Sequence, residues 1–132
     1  MKRTAAMIAA AVVLAGAAIS PVLADDAAYD AALKDIEQTL GMVPTFMRQH
    51  PKAGFAGAWQ QLKDLELRED TALSPKVKSL IGLAVVSQIP CEYCIWADAL
   101  SAKSAGATDE EIAEAVAIAA TERYWSTMLN GL

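Results

Sequence analysis

Apolar residues recur along this chain at the spacing of helix turns. Tyr29, Leu33, Ile36 and Leu40 fall at i, i+4, i+7 and i+11. That is one stripe on a helix over Asp26–Leu40, and Gly41 follows as a C-terminal stop. Val43-Pro44 opens a short helical turn carrying Phe46 and Met47, which Pro51 interrupts. A third helix is expected over Pro51–Leu67, with Phe55, Trp59, Leu62 and then Leu65 or Glu66 in register. Arg68-Glu69-Asp70-Thr71 is a charged connector.

The second half is punctuated more sharply. Ser74-Pro75 places a capping hydroxyl before a proline at the first helical position, and predicts a helix from Pro75 to about Gln88. Val77, Leu80, Ile81, Ala84 and Val85 give it a wide apolar face, so a central place in the bundle is expected. Ile89-Pro90 ends it. The next helix is expected from about Cys91 to Ala105, with Gly106 beyond its end. Thr108 and Glu111 are spaced as a capping box for a last helix from Asp109 to about Leu129, with Ile112, Val116, Ala119 and Arg123 marking its register. No stretch alternates as a strand would, and Val85-Val86 lies inside a helical period. The expected fold is all-α, a compact bundle of about five to six helices with a Cys-x-x-Cys pair at a helix N-terminus.

The first residues read as a targeting segment. Lys2 and Arg3 precede an apolar run from Ala5 to Ile19, too short and Ala-rich for a comfortable membrane span. Val22-Leu23-Ala24 ends in small residues, and Asp25-Asp26 follow. A secretory signal peptide over 1–24 and a single domain over 25–132 are expected, with an uncleaved anchor as the alternative. There is no twin arginine, so general secretion to the periplasm is the expected route, with no stable membrane insertion after cleavage. The formal charge is −5, and losing Lys2 and Arg3 makes it more negative. An acidic chain without a basic cluster argues against nucleic acid and anionic membranes as partners.

Export changes how the cysteines read. Cys91 and Cys94 are the two cysteines of the chain, and disulfides persist outside the cytosol. A bridge across so short a loop restrains the unfolded chain by only about 2 kcal/mol, against about 3 kcal/mol for a 15-residue loop. The pair therefore reads as redox-active ahead of a structural staple. On a helix, Cys91, Cys94, Ile95 and Asp98 share one face. Cys94 sits in the first turn, where free N–H groups and the helix dipole favour thiolate by roughly 0.3–1 kcal/mol, up to ~2. Lowering a thiol pKa from about 8.5 to about 7 takes about 2 kcal/mol, so activation needs a second contribution. Asp98, if ionised, opposes it through like-charge repulsion. It could instead be protonated, paired with a cation such as Arg123, act as a base, or simply be solvated.

His50, the single histidine, precedes Pro51 in an expected turn and reads as structural or exposed. The cysteines lack two further nearby metal ligands, and Ile95 follows Cys94 where covalent haem attachment needs histidine. No metal or cofactor is expected. Trp59, Trp96, Tyr124 and Trp125 read as core or interface anchors, and Met42, Met47 and Met128 as gap-fillers.

Three stretches together resemble the carboxymuconolactone decarboxylase and alkylhydroperoxidase D-like family. They are Leu73-Ser74-Pro75-Lys76-Val77-Lys78-Ser79-Leu80-Ile81-Gly82-Leu83-Ala84, then Cys91-Glu92-Tyr93-Cys94, then Gly106-Ala107-Thr108-Asp109-Glu110-Glu111-Ile112. The resemblance runs from about Leu73 to Gly131, with Gly41-Met42-Val43-Pro44 and Ala58-Trp59 as weaker matches. It implies an all-α fold and homo-oligomers, trimeric or hexameric. In its cysteine-bearing branch the second cysteine attacks a peroxide and the first resolves the sulfenic acid. That makes Cys94 peroxidatic and Cys91 resolving. A glutamate on the preceding helix and a histidine four residues after the second cysteine relay protons there, and those positions are Ser79 and Asp98 here. Three readings follow: a thiol peroxidase acting on a small peroxide with an unknown thiol reductant, a general thiol–disulfide oxidoreductase, or a helical assembly or binding module that has lost the relay.

Overall fold

The computed structural model describes residues 26–132, all of them in helices or short connections. The expected signal peptide over 1–24 lies outside the described residues. The helices are α1 (Asp26–Leu40), α2 (Thr45–Arg48), α3 (Phe55–Leu62), α4 (Pro75–Val86), α5 (Glu92–Ser104) and α6 (Asp109–Gly131).

Most ends follow the local chemistry. Gly41 takes the left-handed conformation, φ +77°, and its N–H donates to the Glu37 carbonyl at 2.9 Å. The Ser74 hydroxyl accepts from the Val77 N–H at 3.3 Å, with Pro75 at the first helical position. The Thr108 capping box is closed on both sides: Glu111 N–H donates to Thr108 Oγ1 at 3.1 Å, and Thr108 N–H to Glu111 Oε2 at 2.8 Å.

The third helix departs from expectation at both ends. It begins at Phe55, because Gly54 in front of it is left-handed, φ +82°. After Leu62 the coil widens into a π-helical segment over Lys63–Leu67. Arg68 N–H donates across five residues to the Lys63 carbonyl at 3.0 Å. A π turn takes up more chain than an α turn, so side chains beyond Leu62 leave the 3.6-residue register.

The interior is unevenly divided. Tyr29, Ala32 and Ile36 of α1 are buried with Phe55 and Trp59 of α3, and Leu33, Val43, Met47, Ala56 and Leu62 pack around them. The rings of Tyr29 and Phe55 lie 5.0 Å apart. The Tyr29 hydroxyl donates to the Arg48 carbonyl at 3.2 Å and so ties in α2. On the other side, α4 packs on α5 and α6. There the buried apolar residues are Leu83 and Ala102. The α4 stripe expected to be central is half open: Ile81 is 50% and Val85 55% exposed. Apolar residues surround α4, and Leu83, off that stripe, takes the inner position. No residue of α6 is buried, and Trp125 and Leu129 are 57% and 76% exposed. Of the aromatics read as anchors, Trp59 lies in the core, while Trp96, Tyr124 and Trp125 are exposed. Met47 fills a gap, whereas Met42 and Met128 do not.

Candidate active site

The start of α5 is built by a proline and a sulfur. Pro90 has no N–H to extend α4, and the Cys91 N–H folds back onto the Ile89 carbonyl at 2.7 Å. Cys91 is the N-cap, in a non-helical conformation (φ −129°, ψ 89°). Its Sγ accepts the Cys94 N–H at 3.2 Å, the place a serine or threonine oxygen usually fills. Cys91 and Cys94 are joined as a disulfide across this first turn, Cα to Cα 5.3 Å. The capping N–H is thus aimed at Cys91. Cys94 provides that N–H and draws no capping bond to its own sulfur.

Ser79 and Asp98 are brought together in a cleft of about 590 Å³ between α4, α5 and the π-helical segment. Its walls are largely apolar, with Leu65, Leu67, Leu73, Ile81 and Val85 among them. The two cysteines are not among its lining residues; α5 itself makes the connection, since Asp98 stands one turn beyond Cys94. Asp98 approaches α4 at Gly82. A β-carbon there would lie 3.3 Å from the Asp98 Cγ and Oδ2. The glycine is the notch that admits the carboxyl. Among the described residues the Asp98 carboxyl has neither a hydrogen-bond nor an ion-pair partner, so the pairing with Arg123 is not made. Burial pushes its carboxyl above the usual carboxylate range.

A residue that periodicity placed only as an alternative end to α3 enters here. Glu66, on the π-helical segment, lines the same cleft. Burial first, and the charge of Asp98 second, raise its carboxyl as well. The nearby lysine is already engaged, because Lys78 Nζ donates to the Arg68 carbonyl at 2.7 Å. Glu66 was hidden because its facing depends on the π turn, which no sequence period announces.

His50 lies elsewhere. It is exposed, its Nδ1 sits 2.7 Å from the Pro51 carbonyl, and its ring is 5.3 Å from that of Phe55. It borders a second, apolar cavity of about 160 Å³ with Ile36, Phe46 and Trp59.

Three similarities bear on this arrangement. The model of the carboxymuconolactone decarboxylase family matches residues 53–132. The crystal structure of the alkylhydroperoxidase AhpD core from Rhodospirillum rubrum superposes with a TM-score of 0.67 at 26% identity, covering 86% of this chain and 90% of that one. A protein of Paracoccus denitrificans described as uncharacterized protein 4 in the cox locus is 41% identical over 54 residues, 41% of this chain and 49% of that protein. The chain thus spans about half the length of that curated relative.

Proposed function

Because the chain belongs to the carboxymuconolactone decarboxylase family, and its fold is that of the alkylhydroperoxidase AhpD core, we propose that it is a thiol-dependent peroxidase. It reduces hydrogen peroxide or small organic hydroperoxides through Cys94 and Cys91. The observation that carries this reading is the disulfide across the first turn of α5, set one turn from a carboxyl that faces a largely apolar cleft. Cys94 attacks the peroxide oxygen, forming an S–O bond and breaking the O–O bond. Cys91 then displaces water from the sulfenic acid and closes the disulfide. Two thiols and one hydroperoxide give one disulfide, one alcohol and one water. A thiol reductant of unknown identity reopens the bridge.

Residues 1–24 act as a cleaved signal peptide on this reading, and the protein works in the periplasm. It assembles as a homo-oligomer, a trimer or hexamer, which the open apolar surfaces of α4, α5 and α6 favour. General thiol–disulfide exchange is the competing reading, favoured by the position of Cys91 as a capped sulfur.

The test is stoichiometric peroxide added to reduced protein, with thiol loss and mass followed over time. The expected result is loss of both thiols in the wild type and a stable sulfenic acid in Cys91→Ser. In Cys94→Ser the reaction is expected to slow by at least about 10²-fold. Equal thiol loss in Cys94→Ser and wild type sinks the peroxidase reading. A reduction potential near about −120 to −180 mV together with peroxide inertness would instead support the exchange reading, and one below about −300 mV a structural bridge.

A further inference from the structure

We propose that Glu66 is the proton donor of this site: the carboxyl missing at Ser79 is supplied from the π-helical segment, and Glu66 and Asp98 work across the cleft as an acid–base pair for Cys94. The inference rests on the peroxidase reading and names the residues that move its protons.

Three features of the geometry carry it. Asp98 stands one turn past Cys94 on the same helix, so its carboxyl is the side-chain acid nearest along that face. Gly82 leaves the gap through which this carboxyl enters the cleft, and any side chain there would press on it. Glu66 lines the same cleft, and it does so from a π turn, an irregularity that frequently marks functional positions.

The charged neighbours do not neutralise the pair. Lys78, from α4, donates to the Arg68 carbonyl. Asp64, from the π-helical segment, stands 3.7 Å from the Arg68 guanidinium. The rest of the lining is mostly apolar, with Thr71, Ser79 and Ser101 as its neutral polar members, and two such carboxyls hold at least one proton between them more readily than two charges. Glu66 is raised both by burial and by the charge of Asp98, whereas Asp98 is raised by burial alone. The proposal puts the base at Asp98, which stands one turn from Cys94 on α5, and the shared proton on Glu66 across the cleft.

This division matches what Cys94 lacks. The cap bond goes to Cys91, so the Cys94 thiol needs a base. Ionised Asp98 takes its proton as the S–O bond forms and the O–O bond breaks. Glu66 gives its proton to the departing alkoxide or hydroxide. Transfer from Asp98 to Glu66 then restores the pair, with no net gain or loss of protons by the protein.

The experiment follows peroxide-driven thiol oxidation in the reduced full chain as a function of pH, using hydrogen peroxide and cumene hydroperoxide. Glu66→Gln is expected to lower the Cys94-dependent rate by about 10–100-fold and to remove the fall in rate on the alkaline side, where the wild type loses the Glu66 proton. Glu66→Asp is expected to recover part of the rate, and Glu37→Gln, on α1, to change nothing. Gly82→Ala, which displaces the Asp98 carboxyl without removing any acid, is expected to slow the reaction while unfolding stays cooperative. A Glu66→Gln protein with the wild-type rate and pH profile overturns the proposal and leaves the peroxidase reading standing. A wild type whose thiols ignore peroxide overturns that reading first.

Discussion

The two halves of this molecule treat a buried-side aspartate in opposite ways. In the α1–α3 half, Asp35 accepts from the Trp59 indole N–H and from Lys63 Nζ at 2.7 Å. Those hydrogen bonds, Lys63 first, hold its carboxyl below the usual range. In the α4–α6 half, Asp98 has no such donor, and burial raises it. The apolar surface follows the same division. The first half closes Ile36, Phe55 and Trp59 into a core of its own, while the second leaves Ile81, Trp96 and Trp125 open. A carboxylate with two donors is a structural fitting. One without donors, beside a cleft and a sulfur, is free to exchange a proton. The first half closes a core, and the second holds the cleft, the disulfide and the open apolar surface on which the proposed chemistry and association rest.

The largest test of that contrast compares two truncations. Ile36→Ala, at a fully buried position, is expected to destabilise the protein by about 2–5 kcal/mol, at every protein concentration. Trp125→Ala, on the open face of α6, is expected to cost under about 1 kcal/mol in the monomer. Its effect should appear as dissociation of the proposed homo-oligomer and loss of the concentration dependence of the melting temperature. Denaturant unfolding and sedimentation at several concentrations measure both. Equal, concentration-independent costs would break the contrast.

Thr108→Ala probes the sharpest local feature of the second half. It removes one bond of the capping box and strands its partner, and about 1 kcal/mol of stability should go with it. The Lys76–Glu111 ion pair, 2.8 Å, should persist in the variant, since it joins α4 to α6 independently of the hydroxyl. A loss well below about 0.5 kcal/mol in urea unfolding would show that contacts other than the capping box hold the start of α6.

The smallest and most diagnostic effect is in the sign of a pH dependence. Asp35 has a lowered folded pKa, so its contribution is present above the ordinary aspartate value and fades as pH falls through the folded one. Asp35→Asn should therefore be less stable than wild type at neutral pH, with the difference closing on acidification. Asp98 is raised, so the wild type is penalised as pH rises from the ordinary value through the folded one. Asp98→Asn should be more stable than wild type at neutral pH, again with the difference closing in acid. Urea midpoints between about pH 7 and about pH 3 give both curves. The same sign for the two variants would remove the distinction between them.

Much of the frame was readable from residues alone. The Asp26–Leu40 stripe, the Ser74-Pro75 start, the Gly106 stop and the Thr108 capping box are local devices, each complete within about four residues. Cys91, Cys94 and Asp98 are legible in their spacing and Ser79 in the family resemblance, and Ser79 and Asp98 do share a cleft. Which sulfur receives the cap bond was not readable, because it depends on where the first turn closes after Pro90. Nor was the facing of Glu66, because the π turn breaks the period by which helix faces are counted.

The sequence by itself determined that the chain is helical, where most helices start and stop, and that its two cysteines stand at the start of a helix. Those features are set by dihedral preferences and hydrogen bonds between near neighbours, which travel with the residues. Only the tertiary structure decided what meets across the cleft: Asp98 in the notch of Gly82, Glu66 opposite, and Lys78 drawn away to a carbonyl. Apolar residues lie on several sides of α4, so its pattern leaves more than one face able to turn inward, and packing against α5 and α6 makes the choice.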